Sequence, residues 1–190
     1  MFWQAWCIDQ TKGNMRKATP PRMLITGSPR SGKSTLMAKL IEDVDARNIA
    51  GLTTPEVRRA GIRVGFKMID LASGEQEVLA STSGKGPGVG KYRVNLPGVE
   101  KIVRRIEASL DAADFIFIDE IGKMELLSKS FEELVEHVFS LAKPVIAVVH
   151  RNFISRYRGE GRVFVLKRDN FEEVRESILA ELKAPARGSD

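Results

Sequence analysis

Short apolar runs alternate with segments of helical periodicity along most of this chain, and this alternation constrains the fold more than any other feature. The apolar runs lie at 23–26, 49–54, 115–119, 144–150 and 162–166. Runs of this length are typical of buried strands, and a period of about 3.6 residues between them is typical of amphipathic helices. Strands that alternate with helices form a mostly parallel sheet covered on both faces. The sequence therefore predicts an α/β three-layer sandwich.

The predicted helices have recognisable starts. They cover about 33–47, 97–110, 130–142 and 170–182. Pro97 suits the first turn of a helix, where the missing N–H has no intrahelical partner to lose. Ser130 and Asn170 each precede a glutamate by three residues, which is the pattern of a capping box.

The stretch from 62 to 81 has a different pattern. Its apolar residues alternate with polar ones in two runs, "IRVGFKMIDL" and "EQEVLAS", which meet around "ASGE". Alternation on both sides of such a turn predicts a β-hairpin. We interpret it as an insertion in the α/β pattern, followed by a glycine-rich loop at 83–91 and a short strand at 92–96.

The length of 190 residues fits one domain, which we place at 23–184. Residues 1–22 form an extra N-terminal arm that contains Trp3 and Trp6. Two interpretations of this arm are open: either the gene start lies too far upstream, or the arm packs its tryptophans on the domain. Residues 185–190 are expected to be a disordered tail.

Composition limits the classes of partner. The net charge of +5 and the pI of about 9.4 come from mixed acids and bases, which fits phosphate compounds and does not by itself indicate nucleic acid. The single cysteine, Cys7, excludes an intramolecular disulfide and a cysteine metal cage. No apolar run reaches the length of a membrane span, and the first residues do not resemble a secretory signal. We therefore expect a cytoplasmic protein without a membrane partner.

The stretch "GSPRSGKS", residues 27–34, directly follows the first predicted strand and matches the phosphate-loop pattern G-x-x-x-x-G-K-[ST]. Its glycines let backbone N–H groups turn toward phosphate oxygens, and the next helix adds the positive end of its dipole. Lys33 reaches the β- and γ-phosphates, and the Ser34 hydroxyl binds Mg²⁺. The predicted nucleotide contacts are Gly27, Ser28, Pro29, Arg30, Ser31, Gly32, Lys33, Ser34 and Thr35.

Two adjacent carboxylates, Asp119 and Glu120, end the buried run "FIFID" and begin "DEIGKMEL". In phosphate-loop enzymes an aspartate at the end of a neighbouring strand holds the metal, so Asp119 is the predicted second contact to Mg²⁺, through a water. Glu120, one residue further, is the predicted general base that takes a proton from the attacking water. The alternative is that one of the two acids only caps a loop.

With both motifs present, the chain resembles the THEP1-type nucleoside-triphosphatases, a family of P-loop proteins. The matching stretches are "GSPRSGKST", "GLTTPEVRRAGIRVGF", "GVGKYRVNL", "DEIGKMELLSKSF" and "KPVIAVVH", which together cover most of residues 23–150. The resemblance implies a RecA-like core and slow, Mg²⁺-dependent hydrolysis of nucleoside triphosphates, with broad tolerance of the base. It also implies a cytoplasmic, monomeric protein. The arm at 1–22 has no counterpart, and the C-terminal third is a looser match.

Two cations are further catalytic candidates. Lys123 lies four residues beyond Asp119 and could neutralise charge that develops on the transferred phosphoryl group. Arg58, which Glu56 could hold in place, is the preferred arginine finger among the arginines that follow the second strand. For each cation, a solvated surface position is the alternative interpretation.

Three other features lie at predicted strand ends or loops near the phosphates. His150 closes a strand whose carboxyl end faces the crevice where ligands bind in open α/β sheets, so it either senses the γ-phosphate or is structural. The loop at 83–91 could close over the nucleotide. The loop at 166–170 could touch the base, but it lacks the Asn-Lys-x-Asp guanine reader of GTPases.

Three functions remain open on the residues alone. The first is a nucleoside-triphosphatase with water as the phosphoryl acceptor, and the second is a nucleotide or small-molecule kinase with an acceptor pocket in 51–96. The third is a nucleic-acid-stimulated motor, which the modest charge and the lack of an aromatic-basic stripe make the least favoured. Phosphate release without an acceptor separates the first two.

Overall fold

The structure, a computed structural model, describes residues 20–44 and 48–183. The tail at 185–190 and nearly all of the N-terminal arm lie outside the described residues, and with them the predictions for Trp3, Trp6 and the tail. Regular structure begins at Arg22, one residue before the predicted start of the domain.

Ten strands within the described residues form one sheet. They are β1 (Arg22–Gly27), β2 (Ile49–Thr53), β3 (Glu56–Arg59), β4 (Ile62–Asp70), β5 (Gln76–Ser81), β6 (Gly88–Val89), β7 (Tyr92–Val94), β8 (Phe115–Ile121), β9 (Val145–Val149) and β10 (Arg162–Leu166). Their order is β10-β1-β9-β8-β2-β4-β5-β7-β6, and β3 pairs with the first half of β4.

Helices connect and cover these strands. In the described part of the chain they are α1 (Lys33–Asp43), α2 (Leu96–Ser109), α3 (Lys129–Ser140), α4 (Ile154–Tyr157) and α5 (Phe171–Lys183), with a turn of 3₁₀ helix at Glu125–Leu127. The strands at 23–26, 49–54, 115–119, 144–150 and 162–166 and the four longer helices are therefore confirmed, with small shifts at their ends.

The two faces of the central strands pack against separate cores. Phe117 and Val148 pack with α1 and α5, whereas Ile118 and Ala147, one position along the same strands, pack with α2 and α3. Burying one large apolar side chain of this kind stabilises a protein by about 1.5–3 kcal/mol. Two cores on opposite faces of one sheet confirm the α/β three-layer arrangement.

The five strands β10, β1, β9, β8 and β2 are parallel, so their carboxyl ends lie at one edge of the sheet. In this register Val148 of β9 lies beside Ile25 of β1 on one side and beside Asp119 of β8 on the other. The loop that follows β1 and the acids that end β8 are therefore separated by a single strand.

The other half of the sheet is antiparallel. The predicted hairpin at 62–81 is confirmed as β4 and β5, but the structure adds β3 and the small β6–β7 pair. Only Leu52 and Thr53 of β2 pair with β4, and they pair with Asp70 and Ile69 at the end of β4. The first half of β4 and its partner β3 therefore continue beyond the carboxyl edge of the parallel strands.

The predicted capping box at Ser130 is wrong. The residue that caps α3 is Ser128, because the 3₁₀ turn before it leads directly into the helix. The Ser128 and Ser130 hydroxyls lie 2.9 Å apart and share a hydrogen bond instead of capping the helix. Asn170 does precede α5, but its side chain accepts a hydrogen bond from the Lys167 N–H and donates one to the Val165 carbonyl.

Candidate functional site

The loop from Gly27 to Ser34 joins β1 to α1 at the carboxyl edge of the sheet. A side chain at Gly27 would place its Cβ only 2.3 Å from the Leu166 carbonyl oxygen, so this position accepts only glycine without a shift of the backbone. Gly32 has a φ of +99° and caps α1, a conformation that glycine adopts without steric cost. Both glycines of the motif are therefore required by the loop geometry.

The Lys33 side chain turns back over this loop. Its Nζ donates hydrogen bonds to the Gly27 carbonyl at 3.3 Å and to the Ser28 carbonyl at 3.1 Å. The ammonium group thus lies within the curve of the loop, where phosphate oxygens would be bound. Ser28, Pro29 and Arg30 form the exposed outer part of the loop.

The phosphate loop and the acidic strand end meet at Ser34 and Asp119. The Ser34 hydroxyl donates to Asp119 Oδ1 at 3.5 Å, although the two residues are 85 positions apart in the sequence. Asp119 is only 4% exposed. Burial, followed by the neighbouring Glu120 carboxylate, raises the pKa of Asp119 to about 6, while Ser34 and Lys33 act in the opposite direction.

These residues fit a divalent cation. A hydroxyl and a buried carboxylate at this distance offer the hard oxygen ligands that Mg²⁺ prefers, and a cation beside Asp119 would offset its burial and the charge of Glu120. Among residues 20–44 and 48–183, no group of three or more His, Cys, Asp or Glu side chains could hold a metal by itself.

Glu120 is half-buried, and its Oε1 is buried without a hydrogen-bond partner. The pairing of β8 with β9 shifts register between Asp119 and Ile121, which takes Glu120 out of the regular ladder. The peptide bond that joins Asp119 to Glu120 is cis. The predicted base therefore follows the predicted metal ligand directly, with a carboxylate oxygen that no other group among residues 20–44 and 48–183 uses.

A second glutamate beside the site, Glu125, was not among the residues predicted from the sequence. It is 6% exposed, and burial raises the pKa of its carboxyl group to about 8, with Glu120 and Asp119 adding to the rise and backbone N–H groups opposing it. A Cβ added at Gly122 would lie 3.0 Å from Glu125 Oε2 and 3.7 Å from Glu120 Cδ, so the two carboxyl groups flank this glycine. The available signal was an acid between two apolar residues, Met124 and Leu126.

The two candidate cations lie further out. The Arg58 guanidinium donates to Glu56 Oε2 at 2.7 Å and 3.0 Å and to the Gly61 carbonyl at 3.0 Å, as expected if Glu56 holds it. Its side chain is 58% exposed on β3, in the part of the sheet that continues beyond the carboxyl edge. Lys123 is exposed in the loop after β8. Arg58 is therefore held by Glu56 and Gly61 of its own hairpin, and the catalytic roles of Arg58 and Lys123 stay predictions.

His150 follows the last residue of β9, the strand between the phosphate loop and the acids. Its backbone N–H donates to the Ile121 carbonyl at 3.0 Å, and its Nδ1 accepts from the Asn152 N–H at 3.3 Å. The ring is half-buried and meets the Phe153 ring edge-on, with centroids 6.2 Å apart. These contacts explain the orientation of the ring, and a role of His150 as a γ-phosphate sensor stays a prediction.

Comparison with known proteins agrees with this geometry. A family profile described as NTPase matches residues 22–179. The nucleoside-triphosphatase THEP1 of Methanocaldococcus jannaschii is 38% identical over 169 residues, which cover 85% of this chain and 99% of that relative. THEP1 of Methanosarcina barkeri is 43% identical over 156 residues, covering 78% of this chain and 90% of the relative. The profile extends past residue 150, where the resemblance in the motifs becomes looser.

Two solved structures share the fold. The crystal structure of THEP1 from the hyperthermophile Aquifex aeolicus has a TM-score of 0.72 at 30% identity, covering 86% of this chain and 99% of that one. The solution structure of a human cancer-related nucleoside triphosphatase has a TM-score of 0.66 at 28% identity, covering 84% and 96%. In the residues that the structure describes, no helix is both long and apolar enough to cross a membrane.

Proposed function

This chain belongs to the NTPase family that includes the THEP1 nucleoside-triphosphatases, and we propose that it hydrolyses nucleoside triphosphates to diphosphate and phosphate with Mg²⁺ and with water as the acceptor. The observation that supports this best is the 3.5 Å distance between Ser34 Oγ and Asp119 Oδ1, which joins the phosphate loop to the acidic strand end. Since the relatives are named for triphosphate hydrolysis, a kinase with an acceptor pocket in 51–96 is not favoured.

Binding of the triphosphate is assigned to the loop and to α1. Backbone N–H groups of residues 27–35 donate to the phosphate oxygens, and the N-terminus of α1 adds the positive end of its dipole. Lys33 exchanges its hydrogen bonds with the two loop carbonyls for contacts with the β- and γ-phosphates. Ser34 and Asp119 would hold Mg²⁺, which neutralises charge on the β- and γ-phosphates when it is bound.

Glu120 is assigned as the general base. Its buried Oε1 has no hydrogen-bond partner among the described residues, and it follows Asp119 directly at the mouth of the site. A carboxylate in this position can accept a proton from a water that attacks the γ-phosphorus. Arg58 and Lys123 are the candidate cations that would neutralise the negative charge that develops in the transition state. To act in this way, the Arg58 guanidinium would have to leave Glu56 and bind the γ-phosphate.

Broad tolerance of the base is supported by the loop that follows β10. Gly27 pairs with Leu166, so this loop starts beside the phosphate loop. Its one amide side chain, Asn170, is engaged with the backbone of Lys167 and Val165. The amide of this loop is therefore engaged with the protein backbone and is not available to distinguish one base from another.

The test is phosphate release from ATP, GTP, CTP and UTP with Mg²⁺ and no added acceptor. The wild type should release phosphate from all four, and Lys33→Ala should bind and hydrolyse poorly. Glu120→Gln should bind Mg·ATP normally and hydrolyse it at least about 100-fold more slowly, since general-base catalysis contributes roughly that much. Lys129→Ala and Glu133→Gln, at exposed positions of α3, are the matched controls. Formation of diphosphate only when a metabolite acceptor is added, with the phosphoryl group transferred to that acceptor and no free phosphate released, would replace hydrolysis by the kinase reaction.

A further inference from the structure

The order of the strands sets the direction in which a triphosphate would lie on the phosphate loop. Ser34 meets Asp119 on the side of β1 where β9 and β8 lie. The opposite side of β1 is formed by β10, where Gly27 pairs with Leu166. Because the metal bridges the β- and γ-phosphates, the γ-end belongs at the contact of Ser34 with Asp119. The α-phosphate and the nucleoside are then left to extend toward β10 and the loop that joins it to α5.

An aromatic ring lies against the phosphate loop on this side. Phe171 is the first residue of α5, and a Cβ added at Gly32 would lie 3.4 Å from both Cδ2 and Cε2 of its ring. Gly32 caps α1 and directly precedes Lys33. Phe171 also packs against the core between the sheet and the helices α1 and α5. The ring is therefore held in place by the core and borders the loop that would bind the phosphates.

Part of the Phe171 ring stays accessible to a ligand. The residue is half-buried, and the Lys39 ammonium group lies over the ring, 5.3 Å from its centroid. The Lys39 side chain is itself 45% exposed, and its ion pair with Glu172 measures 3.7 Å. Exposed cation–π contacts and surface ion pairs are weak. A flat ligand can therefore replace the lysine on the ring without breaking a buried contact.

We propose that the Phe171 ring stacks on the base of the bound nucleoside triphosphate. This inference rests on the proposed function, because it assigns a further substrate contact in the same site. Stacking uses the π-face that every base has and does not read the hydrogen-bonding groups at the edge of the base. The contact thus adds affinity for the nucleoside and preserves tolerance of the base. Purines, which have the larger ring system, gain more from it than pyrimidines.

The test measures the affinity of Phe171→Leu and Phe171→Tyr for a nonhydrolysable ATP analogue and for inorganic tripolyphosphate, each with Mg²⁺, by calorimetry. Tripolyphosphate carries the three phosphates and no base. Loss of the stacked ring in the leucine variant should weaken the ATP analogue about 5- to 100-fold and leave tripolyphosphate unchanged. The tyrosine variant keeps an aromatic face and should bind both ligands like the wild type. Phe66→Leu, at another half-buried phenylalanine on the antiparallel half of the sheet, is the matched control.

Equal weakening of the ATP analogue and tripolyphosphate would overturn the proposal, because the ring would then only support the phosphate loop. An unchanged affinity of the leucine variant for the ATP analogue would overturn it as well, and so would a tyrosine variant as weak as the leucine variant. Thermal unfolding of each variant is measured alongside, and Phe171→Met replaces the leucine variant if that variant is unfolded at the assay temperature. If the wild type binds the ATP analogue but releases no phosphate from ATP, the proposed hydrolysis fails while the comparison still tests Phe171.

Discussion

Replacement of Glu125 by glutamine should stabilise the metal-free protein, and the gain should grow as the pH rises. The carboxyl group is 6% exposed, and burial, with Glu120 and Asp119 nearby, raises its pKa from the ordinary 4.5 to about 8. The folded protein therefore holds this group as the neutral acid across the neutral range. Glutamine has nearly the same shape and is neutral at every pH, so it removes the cost of keeping this group protonated in the folded protein at a pH where the unfolded chain ionises it.

The magnitude follows from proton linkage. Below a pH of about 4.5 the carboxyl group is protonated in the folded and the unfolded chain and does not affect the free energy of unfolding. Between about 4.5 and about 8 the unfolded chain loses a proton that the folded chain keeps, so the free energy of unfolding falls by about 1.4 kcal/mol per pH unit. Relative to wild type, Glu125→Gln should gain up to about 3 kcal/mol near pH 7 and up to about 5 kcal/mol near pH 9.

The assay is urea unfolding of both proteins near pH 5, 7 and 9, with a chelator present to remove divalent cations. Glu100→Gln, at an exposed position of α2, is the matched control. A difference between Glu125→Gln and wild type that is the same at all three pH values would refute the reasoning, because only an abnormal carboxyl pKa makes the difference depend on pH.

Three further predictions concern the site. Because the pKa of Asp119 is raised to about 6, Mg²⁺ affinity measured by titration with a nucleotide present should fall as the pH drops below about 6. Asp119→Asn should weaken this dependence and leave only the part that comes from protonation of the nucleotide phosphates, whose pKa is also about 6. Gly27→Ala should lower the free energy of unfolding by about 1–3 kcal/mol in chemical denaturation, because the alanine Cβ would lie 2.3 Å from the Leu166 carbonyl oxygen. An unchanged free energy of unfolding would contradict that contact. Arg58→Ala should reduce kcat at least about tenfold in phosphate-release assays and leave KM similar, whereas Arg59→Ala should leave kcat unchanged. An equal loss of kcat in both variants would exclude Arg58 as the arginine finger.

The phosphate loop and the acidic strand could be predicted from the sequence because each is a local pattern. The spacing of Gly27, Gly32 and Lys33 is typical of the loop geometry, and a buried run that ends in Asp119 indicates a cation site. The alternation of strands and helices was sufficient to predict the parallel sheet. The motifs and this alternation therefore predicted the family and the three-layer fold correctly.

The features that were missed depend on non-local contacts. Glu125 lies in a predicted loop and looks like an ordinary surface acid in the sequence, but the 3₁₀ turn that it begins packs against β8 and buries it. The strand β3 is stabilised by its pairing with β4, which its four residues do not encode alone. Ser130 satisfies the capping pattern, but the preceding turn makes Ser128 the cap. The roles assigned to individual site residues, the monomeric state and the cytoplasmic location stay predictions.

The central claim is that Ser34 and Asp119 hold one divalent ion between the phosphate loop and the acidic strand. The most direct measurement is anomalous diffraction from crystals grown with Mn²⁺ and a nonhydrolysable triphosphate. The account predicts one manganese peak about 2.1 Å from Ser34 Oγ, with Asp119 hydrogen-bonded to a water on the same ion. A manganese ion that contacts the triphosphate but lies away from both Ser34 and Asp119 would contradict this claim.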